Sequence, residues 1–406
     1  MNYVFVSFEE GSIPSGVVRV IEQKCLTWGS DDRIAVLLNK NHWAFGKMQT
    51  LAMQNKNLTC HRLPFPLTDE IRERLGLTKS SKLVRITSRI AFIPITIILF
   101  ILTVTYFVAF ANRQKCDVLI SHNGGWPAAG LNRWVVFAAW IARIKKRILV
   151  VHNTPLRPSR WYKPIYRVQN ATMMWLATNI VTVSASCAKS LTDIAFCGYN
   201  VEVVYNGQDA CVFTPPQVPA PFESGPGPVI GFVGEIAHRK GVHVLVEALQ
   251  KVPPPWHLVL VGSGDDRYET QIHEAAENLA GKVSFMGYRN DAVIFYPHFD
   301  MVVLPSVDFE SFGLVLLEGM RAAKPTICSD FGGMKEVVVD GETGILVPAG
   351  DSDRLAKAIV ALLSDPNLCA RMGAAGEVRA RTVFSAQTMV KGYQDISKME
   401  ERQQTK

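Results

Sequence analysis

The sequence predicts an α/β protein built from two doubly wound, Rossmann-like domains. Three observations carry this. At 406 residues the chain is too long for one ordinary hydrophobic core, and two domains of about 200 residues are the expectation. Short β-branched runs, such as I-V-T-V-S (180–184), V-I-G-F-V (229–233), H-L-V-L-V (257–261) and M-V-V-L-P (301–305), alternate with longer amphipathic stretches. That alternation marks parallel sheets covered by helices. Residues 211–228 hold six prolines and no regular period, which reads as a linker. The expected division is a first domain at 1–210, a linker at 211–228, a second domain at 229–383 and a closing helical segment at 384–406. Ligands are expected at the carboxyl ends of the strands, in a crevice between the domains.

Composition narrows the classes. Forty-eight per cent hydrophobic and 19 per cent charged residues describe a globular chain. The eight cysteines (25, 60, 116, 187, 197, 211, 328 and 369) include no C-x-x-C pair, which argues against a disulfide framework or a zinc cluster. They suit a reducing, cytoplasmic setting. The opening M-N-Y-V-F-V-S-F reads as a strand rather than a leader. The net charge of +7 is uneven: residues 1–212 carry 25 Lys/Arg against 12 Asp/Glu, and the remainder carries 18 against 24. Only the first half is therefore expected to face something anionic. Nucleic acid fits poorly, because the basic residues lack stacking aromatics interleaved at regular spacing. An anionic membrane surface is the better partner.

Residues 90–111 sharpen that choice, with 22 consecutive uncharged positions. This is long enough to cross a bilayer. A crossing, however, would put V-F-V-S-F and I-A-V-L-L on one side and D-V-L-I-S and R-I-L-V-V-H on the other, splitting one sheet. Two readings remain, a helix lying in the membrane interface and a helix buried in the domain. Lys79, Lys82, Arg85 and Arg89 recur at three- and four-residue steps, and Arg143, Lys145, Lys146 and Arg147 form a second cluster. Basic residues beside a long apolar helix favour the interface.

Candidate chemistry lies in the second half. V-I-G-F-V-G-E-I-A-H-R-K-G carries Gly231, Gly234 and Gly241 with Arg239 and Lys240, and L-V-L-V-G-S-G-D-D carries Gly262 and Gly264. Glycines after a strand let the backbone approach a phosphate, and neighbouring cations neutralise it. Ordinary βα turns use the same glycines. In D-F-E-S-F-G-L-V-L-L-E-G-M (308–320), Ser311 is expected to cap a helix starting near Phe312. The amides of Phe312, Gly313 and Leu314 would then be free for an anion. Glu310 precedes that helix and Glu318 follows two turns later. A capping acid and an i,i+3 pair with Arg321 are the plainer readings of these two.

From Gly231 to Asp351 the chain closely resembles the family 4 retaining glycosyltransferases, which have the GT-B fold of two Rossmann-like domains. The matching stretches are G-F-V-G-x(5)-K-G (231–241), V-G-S-G-D (261–265), V-S-F-M-G (283–287), the Glu–seven residues–Glu element (310–318), G-G-M-K-E (332–336) and D-G-E-T-G-I-L-V (340–347). The first half matches more thinly, at V-V-H-N (150–153), V-S-A-S (183–186) and N-G-Q-D (206–209). The last helix, 384–398, is similar to the family's helix that crosses back onto the first domain.

The resemblance implies a donor that is a nucleoside diphosphate sugar. It also implies catalytic roles for Glu310, His152 and Lys240. Glu310 would contact sugar hydroxyls, Lys240 would neutralise the diphosphate, and His152 would face the sugar. Phe312, Gly313 and Leu314 would meet the sugar or diphosphate through their amides, and Glu318 would hold the ribose. Gly287, Tyr288 and Arg289 would border the base, while Gly16 would let the phosphate approach. Retention in this family is described as same-face attack assisted by the departing phosphate, so Glu310 is not assigned as a nucleophile. No metal or other cofactor is expected, and D-S-D (351–353) reads as a helix cap.

Two departures stand out. Glu235 occupies the position usually held by Arg, so either Glu235 turns away and Arg239 supplies the second cation, or the site is altered. Ala323 replaces a glycine in R-A-A-K-P, which reads as a packing change. The expected activity is a membrane-associated hexosyl-type transferase at the inner face of the cell membrane. It would act on a glycan or lipid-linked acceptor in polysaccharide or lipopolysaccharide assembly. A sugar-nucleotide epimerase and a non-catalytic sugar-nucleotide-binding protein are the alternatives on the same fold.

Overall fold

The structure, a computed structural model, describes residues 1–8, 16–29, 31–77, 84, 87–88, 91–127, 130–209 and 219–399. Lys79, Lys82, Arg85 and Arg89, with the first eight positions of the proline-rich stretch, lie outside those residues. The chain forms two compact units. One is Met1–Val183 with Cys187–Val204 and Met389–Lys406; the other is Tyr205–Thr388 with Ser184–Ser186.

The first unit is built on seven strands: β1 (Asn2–Ser7), β2 (Arg33–Leu38), β3 (Leu58–Arg62), β4 (Val118–Asn123), β5 (Lys146–Val151), β6 (Asn179–Thr182) and β7 (Glu202–Val203). All pair in parallel, in the order β3-β2-β1-β4-β5-β6-β7. The order reverses between β1 and β4, the place where such sheets open to ligands. Strands covered on both faces need continuous apolar runs, and β1 and β2 are buried at every position but the first. The covering helices include α1 (Gly16–Thr27), α2 (Phe45–Gln54), α3 (Thr68–Arg74), α4 (Ile93–Gln114), α5 (Gly130–Ile141), α6 (Lys163–Leu176) and α7 (Ala185–Ile194).

Helix α4 is the long apolar segment. Pro94 sits in its first turn, where a missing N–H costs nothing, and Lys115 ends it in the left-handed region at φ 50°. Its two halves differ. Thr103, Val104, Phe107, Phe110 and Ala111 are buried in the unit's core, while Ile93, Ile95, Ile97, Ile98, Ile101 and Leu102 stand exposed. The helix is long and apolar enough to cross a membrane. With its second half packed in the core, the segment is neither wholly buried nor wholly free.

The second unit repeats the plan with β8 (Val229–Val233), β9 (His257–Val261), β10 (Lys282–Phe285), β11 (Met301–Leu304), β12 (Thr326–Ser329) and β13 (Gly344–Val347). They form a parallel sheet in the order β10-β9-β8-β11-β12-β13, reversing between β8 and β11. Its helices include α8 (Val242–Leu249), α9 (Asp266–Ala276), α10 (Leu314–Arg321), α11 (Met334–Val337), α12 (Ser352–Ser364) and α13 (Pro366–Thr382). Asp351 does cap α12, its carboxylate accepting from the Arg354 amide at 2.9 Å. The last helix, α14 (Ala386–Lys398), belongs to the first unit from Met389 onward. Among the described residues the seven cysteines form no disulfide.

Ala323 proves to be more than a packing change. It holds φ 55°, a left-handed backbone that glycine adopts without strain and alanine does not. The conformation is kept because the Ala322, Ala323 and Lys324 amides turn back onto the carbonyls that end α10.

Candidate functional site

In the second unit, three loops leave the carboxyl ends of β8, β9 and β10 and are fastened to one another by backbone. Gly234 N–H donates to Val261 O at 2.9 Å, Ile236 N–H to Ser263 O at 3.0 Å, and Gly262 N–H to Gly287 O at 2.8 Å. A Cβ on Gly262 would lie 1.8 Å from the Gly234 carbonyl, and one on Gly264 1.8 Å from that of Ile236. The two glycines of V-G-S-G are therefore required by contact with the loop after β8, which sequence alone did not reveal, whereas Gly231 makes room for the Phe299 ring. Gly241 plays the same part against the Pro305 carbonyl after β11. Val307 and Asp308 donate from their amides to the Arg239 carbonyl, tying the β11 loop to the R-K-G turn.

This fastening brings Lys240 to Glu310. Their side chains form a salt bridge, with only 13 and 14 per cent of each exposed. A carboxylate so placed needs a cation, and Lys240 supplies it. The backbone of Glu310 and Ser311 rests on Gly332 and Gly333 of G-G-M-K-E, and Gly333 N–H donates to the Glu310 carbonyl at 2.9 Å. Glu336 of the same motif accepts from the amides of Ala185 and Ser186, both at 2.7 Å and both in this unit.

The helix start needs correction. Ser311 does not cap it; α10 begins at Leu314, with Gly313 as N-cap at φ 87° and no side-chain cap bond. Glycine reaches the left-handed region, so the helix starts two residues later than a serine cap would start it. Phe312 is buried, edge-on to Phe384 with ring centroids 5.6 Å apart. Glu318 is 4 per cent exposed and accepts from the Tyr296 hydroxyl at 2.5 Å and from Gln208 Nε2 at 3.3 Å. Tyr296 and Gln208 were missed because they lie 22 and 110 residues from Glu318 in sequence.

Glu235 and Arg239 pair with each other. Arg239 Nη2 donates to Glu235 Oε2 at 2.5 Å, and the guanidinium lies over the Phe309 ring at 5.4 Å. At the β10 end, Gly287 turns at φ 63°, and Tyr288 is 48 per cent exposed. Arg289 makes a two-pronged bond to Asp291, 2.8 Å on each prong. Among the described residues no three His, Cys, Asp or Glu side chains gather as a metal site.

The remaining two candidates lie in the first unit. Gly16 is the exposed first residue of α1. His152 follows β5, is 7 per cent exposed, and meets His122 with Nε2 2.9 Å from its Nδ1. Burial pulls the His152 imidazole down to about 3, with the Lys24 charge a lesser cause, and pulls His122 well below its ordinary value.

Residues 216–379 match the family model described as glycosyl transferases group 1. The phosphatidyl-myo-inositol mannosyltransferase of Mycobacterium leprae is 39 per cent identical over 161 residues, which is 38 per cent of this chain and 42 per cent of that protein. The lipopolysaccharide core biosynthesis glycosyltransferase LpsE of Rhizobium meliloti is 31 per cent identical over 168 residues, 41 and 48 per cent of the two chains. The chain thus spans about half the length of the curated relatives it matches. Anabaena HepE, solved in complex with UDP, superposes with a TM-score of 0.72 at 21 per cent identity, covering 97 per cent of this chain and 99 per cent of that one. The two parallel sheets, of seven and six strands, and the loop motifs above agree with this: residues 216–379 are similar to the group 1 glycosyl transferases, and the chain has an α/β GT-B fold.

Proposed function

We propose that the protein transfers a sugar from a nucleoside diphosphate sugar to a glycan or lipid-linked acceptor, with retention and without a metal, in surface polysaccharide or lipopolysaccharide assembly. The observation that carries this reading is the sheltered Lys240–Glu310 pair, held by loops fastened backbone to backbone. An arriving diphosphate competes with Glu310 for Lys240. The same event that neutralises the phosphates therefore releases the Glu310 carboxylate for sugar hydroxyls. As the glycosidic bond breaks, charge grows on the leaving diphosphate, and a fixed cation lowers the barrier. Glu318, already accepting from Tyr296 and Gln208, takes the ribose hydroxyls. The Gly287–Arg289 segment borders the base, the amides of 312–314 meet the donor, and Gly16 and His152 serve from the first unit.

HepE is described with UDP and with UDP-glucose, which makes UDP the first nucleotide to try. Relatives named for lipopolysaccharide core and phosphatidylinositol substrates support a lipid-linked acceptor.

The reaction is placed, in this reading, at the inner face of a membrane. Support comes from the first unit's surface. The exposed half of α4 continues through an aromatic chain, Phe100 to Phe137 of α5 at 5.9 Å, Phe137 to Trp140 at 6.0 Å and Trp140 to Trp175 of α6 at 5.0 Å. Between Asp117 and Asp193 the sequence holds ten Lys/Arg and no acid. Aromatic and basic residues around an apolar helix match an anionic lipid surface.

Thermal stability with UDP, GDP, ADP and dTDP in EDTA tests the donor reading. Saturation at a hundred times the dissociation constant adds about 2.7 kcal/mol. One nucleotide is expected to raise the melting point, and Glu318→Ala to abolish that rise. No response to any nucleotide would defeat the reading. Product formed without an acceptor would assign epimerisation instead.

A further inference from the structure

The first unit buries a lysine that the function above does not use. Lys24 of α1 is 0 per cent exposed. Lysines are almost never fully buried without a paired acid. Its hydrogen-bonding neighbour among the described residues is His122, with Nζ 3.4 Å from Nε2, and its other contact is the face of the Tyr393 ring from α14, 3.2 Å from the centroid. From His122 the line continues through Nδ1 to Nε2 of His152 at 2.9 Å. Four side chains from α1, β4, the β5 end and α14 thus form one buried file ending at His152.

We propose that Lys24 is a positioning residue: its amine donates to Nε2 of His122, which puts the His122 proton on Nδ1 and, in turn, the His152 proton on Nδ1. The steps follow from hydrogen-bond inventory. An aromatic face attracts an N–H and repels a lone pair, so the amine turns an N–H toward Tyr393. A second N–H is directed at His122, whose Nε2 must then be bare. The one proton of neutral His122 is left on Nδ1, from which it donates to His152 Nε2. His152 therefore carries its own proton on Nδ1 and offers that nitrogen as a donor, not as a base. Burial keeps both rings neutral and lowers the Lys24 ammonium well below its ordinary value; the ammonium has only N–H groups to present, and in the free amine the second N–H, not the lone pair, is assigned to His122. For its use in catalysis this rests on the role given to His152 above; the tautomer itself does not.

The test is nitrogen NMR of the full chain with ¹⁵N-histidine at neutral pH. Both His122 and His152 should show the Nδ1–H tautomer, the minority form of free histidine. Lys24→Met keeps the side chain's length and removes the donor. It should remain folded, with a melting point at least equal to the parent's, because an apolar group replaces a buried polar one. His152 should then move to the Nε2–H form, and donor turnover should fall several-fold with KM for the donor little changed. Lys24→Gln, whose amide still donates, should keep the parent tautomer. An Nε2–H signal on His152 in the parent, or an unchanged Nδ1–H signal in Lys24→Met, overturns the proposal. If the tautomers are as stated and the parent turns over no sugar nucleotide, the transferase reading falls alone.

Discussion

Glu235 stands where an arginine is usual, and its partner is Arg239 four residues on. With side chains 33 and 42 per cent exposed, such a pair is worth about 0.2–1 kcal/mol. Glu235→Ala should therefore leave the melting point within a degree or two. It should also release Arg239 to the diphosphate and tighten nucleotide binding several-fold in calorimetric titration; weaker binding would show that Glu235 contacts the ligand. Acid sensitivity is set by other single residues. Burial lowers His42 to about 4 and His152 to about 3, from an ordinary 6.5. The unfolded chain then takes up protons first, so stability is complete above pH 6.5 and drains away as pH falls toward 4 and below. Urea midpoints measured from pH 7 to pH 4 should decline steadily; a flat profile would mean that these rings are not buried neutral.

Among the elements, strands and helices were legible because their signals are local. Apolar runs marked most strands of the first sheet and β8, β9 and β11 of the second, but not β3, β10, β12 or β13, and Asp351 gave the cap of α12. Glycines were legible as turns but not as seams, since what a missing Cβ touches depends on a loop tens of residues away. Gly333 illustrates this. A methyl there would sit 2.0 Å from the Ser311 carbonyl and push the Glu310–Gly313 loop aside. Gly333→Ala should cost about 1–3 kcal/mol and lower turnover at least tenfold, read by a melt and by steady-state kinetics on the same preparation. Full activity would detach that loop from the chemistry. The α10 start was misread for a related reason: serine is the commoner cap, but the left-handed Gly313 took the position. The partners of Glu318 and of His152 come from other strands and helices, and no spacing rule connects them.

For the whole molecule, charge asymmetry and the apolar segment were plain in the sequence, and the aromatic chain across α4, α5 and α6 was not. It needs three helices side by side. Flotation with vesicles tests what that surface does. Binding to phosphatidylglycerol vesicles should exceed binding to phosphatidylcholine vesicles at least tenfold, weaken as salt rises, and fall severalfold in Ile97→Ser combined with Trp175→Ala. Equal binding to both lipids would remove the electrostatic part, and none to either would remove the membrane from the account.

The seam between the glycine loops carries one more implication, for how the protein can change. Main chain pressed on main chain leaves Gly262 and Gly264 no alternatives, while Glu235, Tyr288 and Arg289 border the same loops with side chains partly in solvent. New donor preferences, whether selected in nature or in the laboratory, should accumulate at those three positions while the glycines stay fixed. Such a chassis lets ligand choice drift without disturbing the frame that carries it.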